Sequence, residues 1–370
     1  MFKLVYSCLA LATAATATAG ETAAGCEAQD GQRPVCSFQN PEDLAPLPGG
    51  EALLVSEYGA MEGGRSGGLA LFDLIRDERH TLFRGGDAQG PARAGWGDPT
   101  CPSPPPADFS PHGIDLARRN DGALVLAVVQ HGTRESIELF EVLERAEEAD
   151  EAGAQGAPTP AWTVEWRGCV IPPEGAWLNE VLVLRDGSLM TSHMMPRVSE
   201  EALFEARAPG WVWRWTPGGG FEQVAGASAR LANGIELSPD ETTLFLNSSM
   251  GDGLQRIDLA SGEVTGRATL GSLDNSTWAP DGKLLVALLL AEDEESFAVC
   301  SALKSGPCPI PFQIVAVDPE TMETAVRFDS RGSPMGAGTV GLQVGDELFI
   351  GSFAGDRILR VDLDAVATAP

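Results

Sequence analysis

A chain of 370 residues with 43% hydrophobic content can bury a large core. Its formal net charge of −28 argues against partners such as nucleic acid or anionic membrane, which need Lys and Arg to neutralise phosphate. The same charge suits a soluble acidic surface or a protein that binds cations.

The N-terminus reads as an export signal. Lys3 supplies a positive charge, residues 4–17 are mostly apolar or small, and Ala17-Thr-Ala19 is an A-x-A cleavage site, so residues 1–19 are expected to be removed. No later stretch reaches membrane length, so no transmembrane segment is expected in the mature chain. Beyond Cys8, six cysteines remain: Cys26, Cys36, Cys101, Cys169, Cys300 and Cys308. An even count in an exported chain favours disulfides. Cys26–Cys36 and Cys300–Cys308 are the local pairs, which leaves Cys101 with Cys169, although six cysteines allow 15 connectivities.

One strand pattern recurs along the chain. Leu69–Asp73, Ile137–Glu141, Trp211–Trp215, Leu254–Asp258, Ile314–Asp318 and Ile358–Asp362 alternate apolar and polar residues as half-buried strands do. Between them lie strand–turn–strand units around Asn120-Asp-Gly122, Asp186-Gly187, Pro239-Asp240, Asp281-Gly282 and Gly345-Asp346. These dipeptides supply the positive φ or preset φ that a short hairpin needs. The first unit, Ala52–Ser56, matches only weakly. Four short strands repeated about six times predict an all-β fold, a six-bladed β-propeller forming one domain from residue 20 to residue 370, with its ring over about 50–365. Residues 84–110, 144–160 and 291–311 read as insertions, the second acidic with a short helix at its start.

Polar residues recur where one unit hands over to the next: Glu57, Asn179, Asn233, and Asp274 with Asn275. In a ring they converge on the axis. A set offering only oxygen suits a hard cation, calcium above all. His112 occupies the equivalent place in its own unit, and His131 closes the hairpin that His112 opens. Such a pair can act as base and orienting partner. His193, after Leu189–Ser192, is expected to line the mouth. The one Gly-x-Ser-x-Gly match, Gly64-Arg-Ser-Gly-Gly68, falls in a glycine-rich stretch that reads as a turn, and no phosphate loop occurs.

Pro111-His112-Gly-Ile114 followed by Val128-Val-Gln-His131, with Glu57, Asn179, Asn233 and Asp274-Asn275, resembles the paraoxonase/arylesterase group of the gluconolactonase-like (senescence-marker-like) six-bladed propellers. The resemblance implies calcium-dependent hydrolysis of a small-molecule lactone or aryl ester. The named oxygens would be the catalytic-calcium ligands, and His112 and His131 the catalytic dyad. Two departures concern the family's second, structural calcium: Tyr58 follows Glu57, and Glu180 follows Asn179 where the family has Asp. The family also ties its ends by a disulfide, and no cysteine follows Cys308, so this ring must close by strand pairing. The same residues leave two alternatives, a sugar lactonase without a working dyad and a non-catalytic calcium-stabilised binding propeller.

Overall fold

The computed structural model describes residues 25–60, 64–88, 90–145, 160–194, 209–291 and 294–367. The expected export signal and residues 146–159 of the acidic insertion lie outside these.

The strands form six four-stranded antiparallel sheets, the blades of a propeller. Blade one holds β2 (Pro41–Pro46), β3 (Ala52–Glu57), β4 (Gly68–Asp73) and β5 (Glu78–Arg84). Blade two holds β6 (Pro111–Arg118), β7 (Leu124–Gln130), β8 (Ser136–Glu144) and β9 (Trp162–Val170). Blade three holds β10 (Leu178–Val183), β11 (Leu189–His193), β12 (Gly210–Thr216) and β13 (Gly220–Ala229). Blade four holds β14 (Ala232–Leu237), β15 (Thr243–Ser248), β16 (Leu254–Asp258) and β17 (Val264–Ala268). Blade five holds β18 (Ser272–Trp278), β19 (Leu284–Leu289), β20 (Phe312–Val317) and β21 (Thr324–Ser330). Blade six holds β22 (Gly338–Val344), β23 (Glu347–Ser352) and β24 (Ile358–Asp362), completed by the N-terminal strand β1 (Gln32–Val35). Among the described residues two short helices, α1 (Glu294–Ser301) and α2 (Leu363–Ala367), decorate the ring.

All six alternating segments of the sequence prove to be third strands. Those of blades one, two and five are more deeply buried than alternation implies, because each blade packs a neighbour on both faces. The second strands show why. Along β7, Leu124, Leu126 and Val128 enter the apolar cluster shared with blade one, while Val125, Ala127 and Val129 enter the cluster shared with blade three. Successive side chains of a strand point to opposite faces, so one uninterrupted apolar run serves two interfaces. A separate apolar cluster fills each of the six interfaces around the ring.

The ring closes by strand pairing. β1 runs antiparallel to β24, from Gln32 opposite Val361 to Val35 opposite Ile358. The ring thus includes strands upstream of the boundary expected near residue 50. Disulfides join Cys26 to Cys36 on either side of β1, Cys101 to Cys169, and Cys300 to Cys308. Without residues 1–37 the chain would lose the outermost strand of blade six. Its thermal midpoint, followed by circular dichroism, is expected to fall by roughly 5–10 °C, and an unchanged midpoint would show that β1 does not hold the ring.

Candidate functional site

The innermost strands are β2, β6, β10, β14, β18 and β22. Each breaks register with its partner close to the same end. The shifts fall between Pro41 and Asp43, Pro111 and Ile114, Leu178 and Val181, Ala232 and Ile235, Leu273 and Ser276, and Gly338 and Val340. An extra residue in a strand bends it and re-aims a side chain. The residues within these irregularities are Glu42, His112, Asn179 with Glu180, Asn233, Asp274 with Asn275, and Thr339. All are buried.

The irregularities fit against one another around the axis. A Cβ on Gly113 would meet the carbonyl oxygen of Asn179 at 2.4 Å, and one on Gly234 would meet that of Asp274 at 2.5 Å. Glycine is required there because the neighbouring backbone occupies the side-chain space. Asn247, on β15, donates to Ser276 Oγ at 2.8 Å and to the Asp274 carbonyl, propping that bend from the next blade. Thr339 Oγ1 donates to the Glu42 carbonyl at 2.6 Å, joining blade six to blade one.

Glu57 does not join this group. It ends β3, the second strand of its blade, and its carboxylate is engaged by the Arg79 guanidinium and by the backbone N–H of Gln39. Glu42, on the inner strand β2, holds the place expected of Glu57. Its Oε1 accepts a hydrogen bond from Asn275 Nδ2 at 3.0 Å. The signal for Glu42 was present in the sequence: Leu47-Pro-Gly-Gly50 is a turn, and it joins Pro41–Pro46 to Ala52–Glu57 as the first hairpin.

The chemistry of this group is that of unsatisfied oxygen. Glu42 Oε2, Asn233 Oδ1 and Asn275 Oδ1 are buried with no hydrogen-bond partner. Leaving such atoms unpaired costs about 1–3 kcal/mol each, and a cation held between the three blades would satisfy all three. Asp274 lies beside them, bonded to the Asn233 side chain. Among the described residues no three His, Cys, Asp or Glu side chains gather as metal ligands. The donor set is mixed carboxylate and amide, which fits a hard ion of flexible coordination.

His112 Nδ1 and His131 Nε2 are 2.9 Å apart, and His112 Nε2 lies 3.7 Å from Glu42 Oε1. Burial, then the His131 charge, pushes the His112 pKa well below its ordinary value, so His112 is neutral at pH 7. His131 Nδ1 is 2.9 Å from Glu135 Oε2, a partner that the sequence pattern did not single out. His193 is buried at the end of β11. Its Nδ1 accepts the Trp177 N–H at 3.0 Å, and its ring packs on Trp211 with centroids 4.5 Å apart.

Further along the axis the inner strands carry Asp43, Asp115, Glu180 and Glu236 around a cavity of about 180 Å³, and no basic residue lines it. Inner strands are sheet edges, and these carboxylates satisfy edge amides. Asp43 accepts the Ile114 N–H, and Asp115 the Val183 N–H, in each case from the next blade. Asp43 also hydrogen-bonds Glu180, so the two carboxyls share a proton or a cation. Asp43 directly follows Glu42 on β2.

Residues 159–287 match the family model for the SMP-30/Gluconolactonase/LRE-like region. That span includes Asn179, Asn233, Asp274 and Asn275 but neither Glu42 nor the histidine pair. Comparison with curated proteins finds no match. Among solved structures the chain is similar to a gluconolactonase from Xanthomonas campestris, with 15% identity and TM-score 0.49 over 90% of this chain and 88% of that one. It is also similar to regucalcin, a calcium-binding protein from Agrobacterium tumefaciens, with 12% identity and TM-score 0.47 over 88% and 91%. A luciferin-regenerating enzyme aligns with 12% identity and TM-score 0.48 over 88% and 92%.

Burial raises the axial carboxyl pKa values in the metal-free protein: Asp43 and Asp274 to about 7, Asp115 to about 6, Glu236 to about 8, with Glu42 and Glu180 also well up. An unfolded chain ionises these groups near 3.8 for Asp and 4.5 for Glu, so the folded state holds more protons from there up to about 8. Stability of the metal-free protein is therefore expected to fall as pH rises through that window. In melts from about pH 5 to 8, added calcium should raise the midpoint most at the alkaline end. A calcium effect independent of pH would contradict this.

Proposed function

We propose that the protein is an exported, calcium-dependent hydrolase of lactones and aryl esters, with Glu42, Asn179, Asn233, Asp274 and Asn275 as the metal ligands. The observation that carries this reading is the set of unpartnered buried oxygens from Glu42, Asn233 and Asn275 beside His112 Nε2. The family region matched at residues 159–287 supports lactonase-type chemistry or a calcium-binding propeller. Three disulfides suit an oxidising compartment, and no helix among the described residues is long and apolar enough to cross a membrane.

A calcium ion at the axial oxygens would act as a Lewis acid toward the substrate carbonyl and its oxyanion. His112 supplies the proton chemistry. Its neutral Nε2 takes a proton from a water molecule as the water oxygen bonds to the acyl carbon. The acyl C–O bond then breaks and the proton passes from His112 to the departing oxygen. A lactone leaves as its hydroxy acid, and an aryl ester as acid and phenol. His131, bonded to His112 Nδ1, holds the ring and shares the charge that develops on it.

His112→Gln is expected to lower kcat by about 10²–10⁴-fold while calcium binding and melting temperature stay near wild type. Unchanged turnover would favour a lactonase that works without the dyad. No hydrolysis across a lactone and aryl-ester panel, with calcium bound, would favour a binding propeller. In calcium titrations Glu42→Gln should weaken affinity by at least 10-fold, on the order of the cost of removing a ligand or its support, whereas Glu57→Gln should leave it unchanged. The reverse result would restore Glu57 as the ligand.

A further inference from the structure

We infer that Glu135 is a positioning residue that fixes the tautomers of both histidines and so places the free lone pair of His112 on Nε2; this rests on the hydrolase reading above. Glu135 follows the Gly132-Thr-Arg134 turn and immediately precedes β8. Its two carboxylate oxygens have different partners. Oε2 lies 2.9 Å from His131 Nδ1, and Oε1 accepts the backbone N–H of Leu178 at 2.7 Å.

An ionised carboxylate only accepts hydrogen bonds, so His131 must carry its proton on Nδ1. Neutral His131 then has its lone pair on Nε2, and that atom is 2.9 Å from His112 Nδ1. The bond requires the proton on His112 Nδ1, which leaves His112 Nε2 as the unprotonated nitrogen. Nε2 is the atom facing Glu42 and the axial oxygens. Each step follows from the one before, and the chain starts at Glu135. A carboxylate sets a base histidine in the same way in hydrolase triads, there directly and here through a second ring. As His112 gains a proton, the positive charge is shared toward Glu135 through His131.

The second contact gives Glu135 a further role. Leu178 directly precedes Asn179, so one carboxylate holds the base in blade two and the start of a proposed ligand strand in blade three. The Leu178 N–H also makes Glu135→Gln a sharp probe. An N–H facing the side chain obliges the glutamine oxygen to stay at Leu178, which turns the amide NH₂ toward His131 Nδ1. Both hydrogen bonds survive, but His131 Nδ1 must now accept. Its Nε2–H would donate to His112 Nδ1, and the His112 proton would move to Nε2, the position from which the base must act.

The experiment uses the calcium-loaded full chain with ¹⁵N-labelled histidine; only four histidines occur, so each ring can be followed by NMR. In the wild type the ring signals should place the proton on Nδ1 of both His112 and His131; Nε2–H on either overturns the inference whatever the variants do. In Glu135→Gln both protons should move to Nε2. Its kcat should fall on the order of 10²-fold, with KM, calcium affinity and melting temperature near wild type. A folded Glu135→Gln enzyme with wild-type kcat and unmoved tautomers would reduce Glu135 to a loop anchor. If the wild type hydrolyses nothing on the panel, the hydrolase reading fails and Glu135 has no base to position. If His112→Gln is inactive while Glu135→Gln is not, only the present inference fails.

Discussion

At one end of every inner strand the backbone departs from regular pairing, and the chemistry of the propeller depends on that departure. A regular inner strand would alternate its side chains between two blade interfaces, both filled with apolar residues. The extra residues free Glu42, His112, Asn179, Asn233, Asp274 and Thr339 from that alternation. Strands from different blades then meet at the axis, and Gly113 and Gly234 let the neighbouring backbones approach. Polar side chains can be buried here because the apolar interfaces on either side fix the strands that carry them.

Burial governs what these groups do. An acidic cluster in water would be ionised and mutually repulsive. Along the axis the carboxyls are desolvated, several resist ionisation near neutral pH, and edge amides satisfy part of their hydrogen-bonding capacity. The oxygens of Glu42, Asn233 and Asn275 have no such partner. That difference separates carboxylates that finish the sheet edges from oxygens available to a cation. The same burial keeps His112 neutral, as a base must be at rest.

The propeller was legible because its code is local. Alternation marked the third strands, and Asp-Gly, Pro-Asp or Gly-Asp pairs marked the turns of blades two to six, so the number of blades could be counted. The disulfide pairing followed from spacing and elimination and agrees with the structure. Blade one is the least legible in the sequence. Pro41-Glu-Asp-Leu44 starts with a proline and two carboxylates, residues that are weak strand formers, and so hides an inner strand that carries an axial acid. Nearness to a strand end brings out His193 in the sequence, and the structure adds its packing on Trp211 and Trp213.

By itself the sequence determined the repeat, the turn chemistry, the acidic balance and the residue types available for oxygen ligation, because each is written in neighbours a few positions apart. It also paired His112 with His131, since one hairpin brings its two ends together. Only the tertiary structure decided that Glu42 rather than Glu57 faces the axis, that β1 completes the last blade, and that Glu135 stands behind His131 and holds Leu178. Those relations join residues from different strands or blades. They are set by ring closure and strand register, neither of which leaves a mark within a short window of sequence.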